Sequence, residues 1–474
     1  MISIFKKYNQ ILVGILFLFY FLYTLSNSLD INDNVMYATL LILIIYFQTV
    51  FEFLYFYNKN GKPRLQDWMR LAIFFMLVLN FMKIVNSSNG LAEVAFVVGK
   101  LSLNSSPFAM IIIIFALISL DFAYILNNSL KKENYEFKDT FFINRKYLVF
   151  NLLIITTIFQ AYLLFSGITG FGNTQTEVSG GSSFVSMLSS YLTPFALILA
   201  AYIIFIENNS NKRYLVIFYA SLIIQILTGF LSGMKENALE PILYITIVFL
   251  IAGRKIPRKV LLIGFIIVAF LYPINNSYRN VVSNPYLNTG SSILNMSIAI
   301  KIISKQPILE TLLGGAESYG DRSSMFPFLI YAINTEEKWD YYKNMSRYLY
   351  LPIGWFMPRA LLEDKPKADI GGVLYAQVTG ERTATSITVT NIGWAYLEGG
   401  ILFIFITFII IGLILELVDK MNYKKPIVLL FYITLFQLSI KPEWDAYFMI
   451  SSLIPMLIIY TMILKIIGLQ RISQ

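Results

Sequence analysis

Long apolar runs separated by short polar segments set the pattern of this sequence. A helix that crosses a membrane needs about 20 mostly apolar residues, and within lipid a helix satisfies its own backbone hydrogen bonds. Twelve runs come close to that length, at about residues 10–26, 35–57, 68–86, 107–127, 147–167, 184–206, 213–231, 237–252, 259–275, 395–418, 426–440 and 446–466. The pattern therefore predicts an all-α polytopic membrane protein with about 12 transmembrane helices.

One connection is far longer than the others. Residues 276–391 form an outer loop of 116 residues, and connections of that length are usually functional. We expect three regions: a transmembrane bundle of nine helices at 1–275, a large extracytoplasmic loop with interfacial helices at 276–394, and a transmembrane bundle of three helices at 395–474.

Inside this loop, apolar residues recur at helical spacing. The residues concerned are Ile293, Met296, Ile300 and Ile303. Their spacing predicts an amphipathic helix that lies along the outer membrane surface.

Composition supports the membrane class and narrows the chemistry. Of the 474 residues, 57% are hydrophobic and 14% are charged, whereas soluble proteins carry about a quarter of their residues as charges. The chain has no Cys and no His, which excludes disulfides, thiol nucleophiles, Ser-His-Asp triads and His-bearing zinc sites. Any reaction must therefore use carboxylates, Arg, Lys, Tyr, Ser or Thr, and the backbone.

The distribution of positive charge predicts the orientation. With the N-terminus in the cytoplasm, the inner segments carry 22 Lys and Arg residues, while the short outer segments carry four. Short loops with more Lys and Arg stay in the cytoplasm. We therefore expect both termini to be cytoplasmic. The net charge of +9 follows from this bias, and because the basic residues are scattered over many loops we expect no nucleic-acid partner.

Three acidic residues lie inside apolar runs, which is costly unless they have partners. Glu52, Asp121 and Glu416 all fall toward the predicted cytoplasmic ends of their helices. We interpret them as carboxylates that reach the inner membrane surface or pair with basic residues of the inner loops, because a proton relay needs such groups spread across the membrane depth.

Charged residues of the outer segments are the candidates for a binding site. The basic candidates are Lys235, Arg279, Arg322, Arg359, Lys365 and Arg382, and the acidic candidates are Glu317 and Asp321. If the basic residues converge, they form a pocket for a diphosphate or an acidic sugar, since Arg binds such oxygens in a bidentate manner. The alternative is that these cations pair with the loop's own Asp and Glu residues.

At these residues the sequence resembles the Wzy-type O-antigen and capsule polymerases, which join the repeat units of bacterial surface polysaccharides. The resemblance covers the general layout and four short motifs in residues 231–400. These are the outer turn Gly233-Met234-Lys235, Arg279 beyond a helix, Pro358-Arg359 followed by Lys365-Pro366, and the Thr/Ser-rich run that leads from Thr383 to Gly400.

The resemblance implies a fold, a reaction and a location. The fold is that of the class C membrane glycosyltransferases, and the location is the bacterial cytoplasmic membrane. The enzyme moves a growing glycan from undecaprenyl diphosphate onto a new lipid-linked repeat unit at the outer face. The implied partners are these oligosaccharide lipids, the bilayer and a chain-length regulator protein. No cofactor or metal is implied.

We expect the basic residues to stabilise the departing diphosphate. Arg279 and Arg359, helped by Lys235 or Arg382, are the candidates for that role. With no His, the base must be a carboxylate, and Glu317 or Asp321 next to Arg322 is the candidate. Either carboxylate is alternatively a partner of Arg322.

Two other membrane proteins of this pathway are alternatives. A lipid-linked oligosaccharide flippase places its cations in a central cavity between two similar halves, and this sequence shows neither halves nor central Arg residues. An O-antigen ligase shares the fold and the donor, but ligases of that type rely on a His of the outer loop, which this chain lacks.

Overall fold

The structure is a computed structural model, and it is nearly all helical. It describes residues 2–29, 31–55, 63–86, 103–130, 140–166, 180–233, 235–255, 273–307, 325–334, 389–441, 443 and 446–472. Over this part of the chain the helical content is 84%.

Fourteen helices and two short strands make up the described residues. They are α1 (Ile2–Leu29), α2 (Asp33–Tyr55), α3 (Leu65–Asn86), α4 (Ser106–Leu130), β1 (Thr140–Ile143), α5 (Lys146–Phe165), α6 (Gly180–Ala201), α7 (Lys212–Leu231), α8 (Lys235–Ile251), α9 (273–283), α10 (Ser292–Ile303), α11 (Phe326–Asn334), α12 (Thr390–Asp419), α13 (Pro426–Ser439), α14 (Ala446–Ile467) and β2 (Leu469–Ile472). Eleven of the twelve predicted runs coincide with helices. The ninth run, 259–275, lies almost entirely outside the described residues.

Six of these helices are long and apolar enough to cross a membrane. They are α2, α3, α4 with its preceding turn, α5, α7 and α12. This agrees with the predicted all-α membrane class, while the number of twelve spans stays a prediction.

The longest helix, α12, packs closely against α4. A Cβ atom at Gly412 would lie 2.7 Å from the Cβ of Ala123, so the absence of a side chain lets the two backbones approach. Small residues at helix interfaces allow close van der Waals packing where lipid provides no hydrophobic driving force. This contact places α12 in the interior of the bundle.

Segments that were predicted to be cytoplasmic meet at one end of the bundle. The hydroxyl of Tyr202 lies 2.7 Å from the carbonyl oxygen of Phe141 and 2.5 Å from that of Lys424, and the Glu207 carboxylate accepts a 2.7 Å hydrogen bond from the amide of Ile143. The amide of Leu65 donates to Asp419 across 2.6 Å. We call this the basic end. The opposite end, where Leu231, Thr390 and Lys441 lie, is the distal end.

Two features of the basic end and the long loop differ from the sequence prediction. Strands β1 and β2 pair in antiparallel fashion and tie the segment before α5 to the C-terminal residues, which the all-α prediction did not include. The predicted helix around residue 300 is present as α10, but Met296 and Ala299 form its packed face, whereas Ile293 and Ile300 are exposed.

Candidate functional site

A buried ionic cluster lies at the basic end. The guanidinium of Arg70 is fully buried and bonds the carboxylates of both Glu52 and Asp121, which come from α2 and α4. The carboxylate of Glu416 lies 3.3 Å from the ammonium of Lys420. The sequence-based interpretation of these three acidic residues as ion-pair partners is confirmed.

Arg64 extends this cluster toward the end of α12. It donates to Asp67 from Nη2 across 2.6 Å and from Nε across 3.1 Å, and its guanidinium lies 4.7 Å from the ring centre of Tyr124. Burial opposes the charge of Arg64, but the hydrogen bonds and the negative charge of Asp67 outweigh it and raise the pKa of this side chain. These contacts join the helices α2, α3 and α4, and we assign them a structural role.

A second ionic cluster lies at the distal end, where α8 begins. Lys441, in the turn after α13, donates to the Oε1 atom of Glu240 across 2.9 Å and also bonds Glu236. Burial lowers the pKa of Lys441 to about 7, and the Glu443 carboxylate opposes that shift. One ammonium group therefore holds two carboxylates of α8 against the turn between α13 and α14.

Neighbouring polar groups complete the coordination of Glu240. Gln437 donates from its amide nitrogen to the Oε1 atom of Glu240. The hydroxyl of Tyr244 lies 3.0 Å from the Oε2 atom of Glu240 and 2.9 Å from the Oε1 atom of Gln437. Because every oxygen of the carboxylate has a donor in reach, Glu240 is held in one orientation.

Arg279 lies on a helix at the same end of the bundle. The sequence placed it just after a transmembrane run, whereas the structure continues the helix α9 through residue 283. The buried residues Tyr278 and Val281 of this helix pack with Met296 and Ala299 of α10. Phe230 and Leu231, at the end of α7, complete this cluster. The helix that carries Arg279, which is itself partly exposed, thereby packs against the end of α7, from which the chain turns to Lys235.

One turn before Arg279 lies a buried amide. Asn275 is 1% exposed, and neither its amide nitrogen nor its amide oxygen has a hydrogen-bond partner among the residues that the structure describes. Residues four apart lie on the same face of a helix, so Asn275 and Arg279 share a face of α9. A buried amide without a partner is costly and is typical of a position that binds water or a ligand.

The tight turn between α7 and α8 positions Lys235. A Cβ atom at Gly229 would overlap the carbonyl group of Asn237, and Gly233 has a φ of +69°, a conformation that glycine adopts without strain. Lys235 is the first residue of α8, and its side chain lies outside the described part of the structure.

The other predicted site residues are also outside the described residues. These are Glu317, Asp321, Arg322, Arg359, Lys365 and Arg382. Their convergence with Arg279 therefore stays a prediction.

Sequence reasoning passed over two carboxylates of the distal end. Glu240 and Glu398 lie within the apolar runs 237–252 and 395–418, and the side chain of Glu240 is 21% exposed while Glu398 is 1% exposed. The signal that could have found them is the one used for Glu52, an acidic residue inside an apolar run. Their position near the predicted outer ends of the runs separates them from the carboxylates of the basic end.

The distal end therefore combines two kinds of chemistry. Arg279 supplies a guanidinium, which binds phosphate oxygens and keeps its charge. Glu240 and Glu398 supply carboxylates, which accept protons.

Comparison of the chain with protein-family models, with curated proteins and with solved structures finds no match.

Proposed function

We propose that this protein polymerises lipid-diphosphate-linked oligosaccharide repeat units into surface polysaccharide. The reaction is glycosyl transfer at the outer face of the bacterial cytoplasmic membrane, and the distal end of the bundle faces outward. The observation that supports the proposal is the packing of α9 against the end of α7. The helix that carries Arg279 thereby lies at the end of the helix from which the chain turns to Lys235, although 44 positions separate the two residues.

The orientation rests on the distribution of charge. Segments rich in Lys and Arg gather at the basic end, and such segments stay in the cytoplasm. The long loop that contains most of the candidate cations then lies outside, together with α9 and α10. A bundle of twelve spans with both termini in the cytoplasm is the corresponding topology.

The proposed reaction needs positive charge more than acid catalysis. A hydroxyl of the acceptor repeat unit attacks the anomeric carbon of the donor glycan, and the bond from that carbon to the diphosphate breaks. Diphosphate is a good leaving group, so the site must mainly stabilise its developing charge. Arg279 and Arg359, with Lys235 or Arg382, supply that charge, and loss of one such group typically slows a reaction by about 10² to 10³.

Asn275 supports a ligand site at Arg279. Its amide lies on the same face of α9 and has no partner within the protein. An amide nitrogen in this position donates to a phosphate oxygen or a sugar hydroxyl, and such a ligand satisfies the buried group.

The experiment compares Arg279→Ala and Arg359→Ala with Lys301→Ala in cells that depend on this protein for long surface glycans. Lys301 is an exposed basic residue of α10 and serves as the matched control. We expect both Arg variants to reach the membrane, to leave single repeat units on the outer surface and to lose long chains, while the control keeps them.

Three outcomes contradict the proposal. Normal chain lengths in both Arg variants would remove the proposed site. Repeat units that accumulate on the cytoplasmic side would identify a flippase instead, and long chains that remain on the lipid carrier would identify a ligase.

A further inference from the structure

The first turns of α12 carry three polar or aromatic residues on one face. The face begins with Asn391, and Trp394 and Glu398 follow it three and seven positions later. This spacing places the three residues on the same side of a helix. Their exposed fractions are 1%, 4% and 1%. A carboxylate, an amide and an indole thus share a buried face at the distal end.

The amide of Asn391 is unsatisfied within the described part of the chain. Among these residues neither its nitrogen nor its oxygen has a hydrogen-bond partner, although both atoms are buried. Nearly all buried polar groups in folded proteins have a partner, and exceptions commonly mark a position that is completed by water or a ligand. A group that donates and accepts hydrogen bonds, such as a sugar hydroxyl, matches this amide.

The backbone around this face is strained at one end and interrupted at the other. Thr390 is fully buried and has a φ of +71°, which is unfavourable for a β-branched residue. Such conformations persist mainly at functional sites. Directly after Glu398, the helix is broken at Gly399 and Gly400, where Gly400 has a φ of +66°. The segment from Thr390 to Glu398 is therefore a separate helical piece.

Helix α11 covers this piece with aromatic residues. Ala332 packs with Trp394, Val389 and Leu397, and Phe328 and Tyr331 lie against the same group. Aromatic faces bind sugar rings by apolar contact, and amide and carboxylate groups bind their hydroxyls. The combination on α11 and α12 is suited to a saccharide.

We propose that this face of α12 binds the acceptor sugar and that Glu398 is the catalytic base of the transfer; this inference rests on the proposed function. Asn391 bonds a neighbouring hydroxyl and orients the sugar. The attacking hydroxyl loses its proton to the Glu398 carboxylate as its oxygen bonds the anomeric carbon. The electron pair of the broken bond leaves with the lipid diphosphate, which Arg279 binds.

The sugar reaches this face when α11 moves away from α12. The break at Gly399 and Gly400 allows the segment from Thr390 to Glu398 to move while the rest of α12 keeps its packing. Glu398 is thus the proposed base of the reaction, a role for which Glu317 and Asp321 were the candidates from the sequence.

The test uses the full chain, purified and placed in lipid nanodiscs, with undecaprenyl-diphosphate-linked repeat units as the probe. Elongation and the midpoint of thermal unfolding are measured for the wild type, Glu398→Gln, Asn391→Leu and the control Asp33→Asn. Asp33 is an exposed carboxylate at the start of α2. We expect Glu398→Gln to slow elongation by about a hundredfold or more, as for loss of a general base. The control should elongate normally.

Asn391→Leu provides a second readout that a structural role would not give. Because the amide has no partner, a leucine of similar size should keep or raise the unfolding midpoint, while elongation falls by about tenfold or more, as expected when substrate is misplaced. If Asn391→Leu has a lower midpoint of thermal unfolding and elongates normally per folded molecule, the inference is overturned. Asn391→Leu is also the deciding variant if Glu398→Gln does not fold. Elongation at the wild-type rate in Glu398→Gln also overturns the inference but leaves the proposed function intact. A wild-type protein that does not elongate the probe contradicts the proposed function itself.

Discussion

Lys441 donates a 2.9 Å hydrogen bond to Glu240, although 201 positions separate the two residues in the sequence. Glu236 bonds the same ammonium group. The contact joins the start of α8 to the turn between α13 and α14, at the end of the bundle where we place the reaction. It therefore holds together two parts of the chain that the long loop separates.

Replacement of Lys441 by Met should destabilise the protein. The change leaves the Glu240 carboxylate largely buried without its cation, and the loss of one partner from a buried pair typically costs about 3–5 kcal/mol. Glu236 is half-exposed and is solvated by water once the pair is lost, so we expect a free energy of unfolding that is lower by about 2–3 kcal/mol. Denaturant unfolding in detergent below pH 7, where Lys441 carries its proton, measures it, with the exposed Lys301→Met as the control. The double variant with Glu240→Gln should recover part of the loss, and an unchanged stability in Lys441→Met would contradict the assignment.

Lys441 should also make the stability of the protein depend on pH. Burial lowers its pKa from the ordinary value of 10.5 to about 7, so between these values the unfolded chain binds a proton that the folded chain lacks. Stability contributed by this residue therefore rises as the pH increases from about 7 to 10. Thermal midpoints of the wild type and Lys441→Met over this range test the sign. The wild type should gain relative to the variant, and a constant or shrinking difference would show that Lys441 stays charged throughout.

Arg70 should be the most sensitive position of the basic end. Its guanidinium is fully buried between Glu52 and Asp121. Arg70→Met leaves Asp121 without this cation, while Glu52 keeps only Arg64, whose Nη2 atom lies 3.7 Å away. We expect a loss of about 3–5 kcal/mol of unfolding free energy and a strongly reduced amount of folded protein. Arg213, an exposed residue at the start of α7, is the matched control, and its replacement should change stability by less than about 0.5 kcal/mol. Equal effects of the two replacements would exclude the structural role of the cluster.

The helices were predictable from the sequence because a long apolar run is a local feature of the composition and needs no knowledge of the rest of the fold. The apolar run at 395–418 predicted α12 without reference to any other part of the chain, and the acidic residue at 52 predicted an ion pair. The identity of the partner was not predictable. That Arg70 binds both Glu52 and Asp121 depends on how three helices pack, which no local pattern contains.

The candidate site was less predictable for the same reason. Arg279 was identified from its place beyond an apolar run, but the packing of its helix against the end of α7 is a tertiary contact. Glu398 was passed over although its place in an apolar run is a local signal, but the extent of its burial, 1% exposed, follows only from how α12 packs in the folded chain. The strands β1 and β2 were missed because each is only four residues long and is stabilised by the other.

The absence of Cys allows a direct test of the orientation. Ser210→Cys introduces a thiol at an exposed position of the basic end, and Tyr286→Cys introduces one beyond α9, where the native side chain is 96% exposed. Because we propose that the basic end lies in the cytoplasm, we expect a membrane-impermeant maleimide to label residue 286 but not residue 210 in intact bacterial cells. Permeabilised cells should show both labels. The reverse pattern in intact cells would place Arg279 on the wrong side of the membrane for the proposed reaction.

The most direct measurement is the length of the glycans that the purified chain produces in liposomes from undecaprenyl-diphosphate-linked repeat units. We predict that long glycans form, that undecaprenyl diphosphate is released, and that Arg279→Ala abolishes both without loss of folded protein. Repeat units that remain single, whether they stay in place or cross the bilayer unchanged, would contradict the account.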